Sequence, residues 1–169
     1  MWMLAAFAAS SLFAQPPATE VAALKQSYAG IKGNLTKAAE KMPEDQYGFK
    51  ASPDIRTFGA LIAHIADTQG QICSAAAGSA RPASAADKTS KADLVAALNN
   101  SFTVCDGVFD SLTDADASKT MSLGRGGPRN EFATLWQLII GHSNEEYGYL
   151  AVYMRIKGVV PPSSEPRGR

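Results

Sequence analysis

The chain has 169 residues, 46% of them hydrophobic and 19% charged, with sixteen basic residues balanced by sixteen acidic ones. That length is one domain with room for a sizeable core, and the composition is that of a globular protein. With no single-sign field to gather nucleic acid or anionic membrane, both partners are disfavoured.

The first fourteen residues, MWMLAAFAASSLFA, are apolar and rich in small side chains, and Gln15-Pro16-Pro17 follows them. The run resembles the hydrophobic core and cleavage end of a secretory signal peptide, though without a basic start. It is too short to span a bilayer as a helix. Segment 1–14 is therefore expected to be removed near Ala14, placing the mature protein in the periplasm or outside the cell, with no stable membrane insertion.

From Ala18 the pattern is helical. Val21, Leu24, Tyr28, Ile31, Leu35, Ala38 and Met42 recur in steps of three and four, the seam of a long helix. Pro43 ends it, and residues 43 to 55 read as a connecting loop. A second helix is predicted from near Arg56 or Thr57 to about Ala77, with Phe58, Leu61, Ile62, Ile65, Ile72 and Cys73 on its apolar face and His64 at or beside that face. Residues 78 to 89 read as a flexible linker of small residues. Ser90 and Asp93 approximate a capping box for a third helix carrying Val95, Leu98, Phe102, Cys105, Phe109 and Leu112.

Residues 113 to 130 form a long glycine-containing loop, and Asn130 is a good N-cap for a fourth helix. That helix is expected to end at Gly158, before Pro161-Pro162. A disordered tail follows over 161–169. No segment shows a strand period of useful length. Four long amphipathic helices predict an all-α four-helix bundle. The 78–90 linker is long for a tight turn and can cross the bundle, leaving helices two and three parallel. In that case Cys73 and Cys105 are level and can pair; an antiparallel arrangement offsets them too far.

The fourth segment holds the unusual chemistry. Phe132, Leu135, Ile139, His142, Glu146, Tyr149 and Tyr153 share one helical face. His142 and Glu146 are therefore neighbours on a face that points inward, where a carboxylate is costly unless paired or metal-bound. The other histidine of the chain is His64. Glu145 points away and is expected in solvent. Trp136, Tyr147, Tyr149 and Tyr153 can line a pocket, although aromatics at helical spacing are more often core. Gly124 to Gly127 lack the features of a phosphate loop.

The run HSNEEYGYLAVYMRIKGVVPPSSEP resembles the C-terminal signature of the DinB-like superfamily, a resemblance that implies a metal-dependent enzyme. TFGALIAHIADTQGQIC and the preceding PEDQYGFKASPDIRTFG are similar to that family's second helix and the loop before it. The resemblance covers about residues 20 to 165 and implies a DinB-like domain over 18–160 with up-down-down-up helices. It implies one divalent ion, zinc, nickel or iron, held by a histidine of helix two and an H-x-x-x-H pair of helix four. The matching positions are His64, His142 and Glu146, the last a departure from histidine. Two histidines and one glutamate remain a known metal set. The expected reaction is metal-assisted hydrolysis or thiol-cofactor-dependent transfer on a small molecule. The alternative is a metal-free, non-enzymatic bundle acting as a binding or dimerisation module. Homodimerisation is left open by the sequence.

Overall fold

The computed structural model describes residues 19–124 and 126–166; the leader-like segment 1–14 and residues 167–169 lie outside them. The elements are α1 (Glu20–Lys41), α2 (Phe58–Ala77), α3 (Lys91–Ser111), α4 (Glu131–Thr134) and α5 (His142–Ile156), with a π-helical stretch Leu135–Gly141 joining the last two. These last three pieces form one rod, so the protein is a four-helix bundle. Two strands of two residues each, β1 (Thr120–Met121) and β2 (Arg129–Asn130), pair antiparallel in the loop before that rod. Among the described residues no helix is long and apolar enough to cross a membrane.

Each rod begins on a side chain that accepts a backbone N–H left over in its first turn. Thr19 serves Ala22, Thr57 serves Ala60, Ser90 serves Asp93, and Asn130 serves Ala133. Two rods end on glycine in the left-handed region, Gly78 (φ 62°) and Gly158 (φ 71°). Ser79 N–H donates to the Ser74 carbonyl, and Val159 N–H to that of Met154, which closes the terminal carbonyls as a Schellman motif. A residue with a Cβ is strained at either position.

The order is up-down-down-up. α1 runs against α3, since Lys91 Nζ donates to the carbonyls of Glu40 and Met42 while Lys25 Nζ reaches Asp110 at the other end. α2 and α3 run parallel. Near their starts a Cβ on Gly59 would lie 3.1 Å from Leu94, and near their ends Cys73 and Cys105 form a disulfide with Cα atoms 5.0 Å apart. The pairing that the sequence left open is therefore made.

Residues 78–90 differ from a flexible linker. They run back along α2 and are pinned to it. Asp67 accepts from Ala85 N–H and Ser84 Oγ, and Ser74 Oγ donates to the Ala80 carbonyl. Pro82 lies on Gly70, where an added Cβ would meet its ring at 3.3 Å. Small residues there let a second chain lie close to a helix. Part of the expected disordered tail is also packed. Pro162 is buried, Ser163 meets the Tyr147 hydroxyl, and Arg155 donates to Ser164 Oγ.

The core is built from the seams that periodicity marks. Leu24, Leu35, Met42, Phe58, Ile62, Ile65, Leu98, Phe102, Phe109, Leu135 and Ile139 are almost wholly removed from water. Each such side chain contributes on the order of 1.5–3 kcal/mol by burial. Tyr28 stacks on Phe109 with ring centroids 3.9 Å apart and donates to Asp106 Oδ1 at 2.7 Å. Burial first, then the hydrogen bond to Asp106 and the charges of Asp106 and Asp110, push its phenol well above the usual range. Burial, then Glu44 and Glu40, push Tyr47 the same way. Unfolded tyrosine ionises near about pH 10. Below that pH both states keep the proton and stability is unaffected; above it the unfolded state alone ionises, so stability falls as pH rises. The urea midpoint is expected to drop between pH 9 and 11, and less so in Tyr28→Phe.

Candidate metal centre

α2 carries His64 and α5 carries His142 and Glu146, and the antiparallel packing of these helices brings the three together. Tyr153 Oη donates to the Arg56 carbonyl at one end of the contact. Gln69 Nε2 donates to Ser143 Oγ at the other. Between them His64 Nε2 lies 3.1 Å from His142 Nε2. Glu146 Oε1 lies 3.6 Å from the first nitrogen and 3.5 Å from the second. The point in the plane of these three atoms and equidistant from them is about 2.0 Å from each, near the usual length of a zinc–nitrogen or zinc–oxygen bond. All three residues predicted as ligands thus converge, each from one atom.

The carboxylate is the demanding member. Glu146 is 5% exposed, and its Oε2 is buried without a hydrogen-bond partner. Its Oε1 is too far from either nitrogen for a good hydrogen bond. A buried anion so placed calls for a cation. His64 is poorly suited to supply one: burial, then the positive charge of Arg56, hold its pKa below the ordinary histidine range, with Glu146 pulling the other way. Neutral imidazoles are what a metal requires. The residues therefore fit a divalent ion. One feature of common sites is missing, since His142 Nδ1 is buried with no partner to orient the ring.

The helical face differs from the one periodicity drew. In α5 the buried residues are Ser143, Glu146, Tyr147, Leu150, Ala151, Tyr153 and Met154, centred one residue past the expected line, while Tyr149 is 49% exposed. The π stretch just before His142 takes more residues per turn than an α-helix, so a stripe counted at 3.6 through it loses register. Glu146 and Tyr153, both buried, line a cleft of about 630 Å³ whose other walls include Asp54, Ile55, Arg56, Leu61 and Tyr149. Of the four aromatics, Tyr149 and Tyr153 line this cleft, Trp136 borders a separate surface hollow, and Tyr147 is core. Glu145 is exposed, as expected. Asp54 falls in the expected loop and Arg56 at the expected helix start; their place within the resembling stretch PEDQYGFKASPDIRTFG is the signal that marks them.

The family model described as the DinB superfamily matches residues 31–150. No curated protein matches the chain. Among solved structures, a DinB-like protein from Bacillus cereus ATCC 10987 aligns with a TM-score of 0.70 and 20% identity, over 82% of this chain and 93% of that one. At that identity the likeness concerns the fold.

Proposed function

The chain belongs to the DinB superfamily, and from that premise we propose a metalloenzyme in which His64, His142 and Glu146 hold one divalent ion, zinc, nickel or iron(II). Its reaction is metal-assisted hydrolysis or thiol-dependent transfer on a small molecule. The observation that supports this is the Glu146 carboxylate, buried without a hydrogen-bond donor and equidistant from two imidazole nitrogens. Three protein ligands leave further coordination positions open, and such an ion lowers the pKa of bound water or polarises a carbonyl or thiolate. The chain's own residues do the rest. The imidazoles and carboxylate would hold the ion at the border of the core, beside a cleft lined by Leu61, Tyr149 and Tyr153. The Cys73–Cys105 disulfide supports an oxidising compartment, the periplasm or the exterior.

A metal-free trio is the competing reading, because 3.1 Å between the imidazoles also suits an N–H···N hydrogen bond. Elemental analysis of protein purified without a histidine tag separates the two. About one ion per chain is expected, lost in His64→Ala and in His142→Ala. Absence of metal after zinc, nickel or iron(II) loading, or equal content in the variants, would sink the proposal.

A further inference from the structure

We propose that Arg56 recognises the anionic group of the substrate, and that this substrate is a small organic monocarboxylate with an apolar body. The inference rests on the metal-centre reading for its chemistry and its charge balance, and on Arg56 and the cleft for recognition of the anion.

Arg56 stands at the wall of the cleft that ends on Glu146. Among the described residues its guanidinium makes no ion pair. Its backbone is held on both sides, by Tyr153 Oη on its carbonyl and by Thr57, the N-cap of α2. The exposed Arg56 side chain thus leaves from backbone tied to α5, the helix that carries His142 and Glu146.

The rest of the cleft defines the body and the charge of the molecule. Ile55, Leu61, Tyr149 and Tyr153 offer two aliphatic and two aromatic surfaces. A volume of about 630 Å³ is within the usual range for small-molecule sites, roughly 300–1,000 Å³. The charged groups on the walls are Arg56, Asp54 and Glu146. A divalent ion on Glu146 leaves the sum at one positive charge, which one anion neutralises. Asp54 opposes a second negative charge, so a monocarboxylate is favoured over a phosphate dianion. The planar fork of a guanidinium matches a carboxylate in two parallel hydrogen bonds, which an ammonium cannot reproduce.

The test is a ligand-detected NMR titration of phenylacetate against metal-free and zinc-loaded protein. Wild type is expected to bind it, more tightly with zinc. Arg56→Ala is expected to weaken binding by about tenfold to a hundredfold, the usual cost of a lost charged hydrogen-bond pair, and Arg56→Lys by less. Neutral 2-phenylethanol and inorganic phosphate are expected not to compete. Zinc content read on the same samples reports on the metal centre separately. Phenylacetate lost in Arg56→Ala while zinc never binds overturns the metal reading and leaves this one standing. No binding to wild type, equal binding by Arg56→Ala as direct seating on zinc would give, or displacement by phosphate overturns it.

Discussion

Glu146→Gln is expected to lose zinc affinity by more than the roughly 10–100-fold that removal of an outer hydrogen-bond partner costs. The neutral amide keeps the shape of the carboxylate but is a much poorer ligand. The effect also reads as heat stability. At a free zinc concentration of about 100 times Kd, binding stabilises the wild type by about 2.7 kcal/mol, which for a domain of this size raises Tm by about 5–10 °C. The variant should show little of this rise. In EDTA it should melt close to the wild type, because the carboxylate oxygen it replaces makes no hydrogen bond. Glu146→His, which restores the H-x-x-x-H spacing that the family resemblance implies, should retain or strengthen binding. Equal zinc, nickel and iron(II) binding by wild type and Glu146→Gln would contradict the assignment of Glu146 as a ligand.

The second large effect concerns the disulfide. Cys73 and Cys105 are 32 residues apart and both fully buried. Closing a loop of that length removes denatured-state entropy worth about 3–4 kcal/mol, or about 7–15 °C in Tm. The bond joins the two parallel helices, whose connection has to run the whole length of α2 and so leaves their register to side-chain packing. The Cys73→Ser, Cys105→Ser double variant should melt lower by that amount. Reduction of folded wild type should be slow, since neither sulfur is accessible. Two free thiols in unreduced, denatured protein would show that the bond does not form in solution.

The two effects act on different parts of one framework. α2 carries His64 on the side facing α5 and Cys73 on the side facing α3. Loosening α2 from α3 should therefore weaken metal binding less than it weakens folding, as the ligand triangle is closed by α2 and α5. Measuring zinc affinity in the double cysteine variant at low temperature separates the two roles.

Periodicity in the chain determined the four rods, their caps and nearly all of their buried faces. A helix needs only its own 3.6-residue spacing and a side chain at each end to be specified. Ser90, Asn130 and Gly158 act locally, and so they were legible. His64, His142 and Glu146 were legible as well, as polar residues on or beside apolar faces and at positions that the family resemblance marked. The tertiary structure decided what depends on relations between rods. Whether Cys73 meets Cys105 turns on helix direction, which the 78–90 segment settles by lying along α2, with Gly70 leaving room for Pro82. That Tyr149 faces solvent turns on the π stretch Leu135–Gly141, which carries the buried line of α5 past the positions a 3.6-residue count marks. That Arg56 and Glu146 line one cleft turns on the antiparallel contact of α5 with the start of α2, made by a tyrosine hydroxyl on a backbone carbonyl 97 residues away.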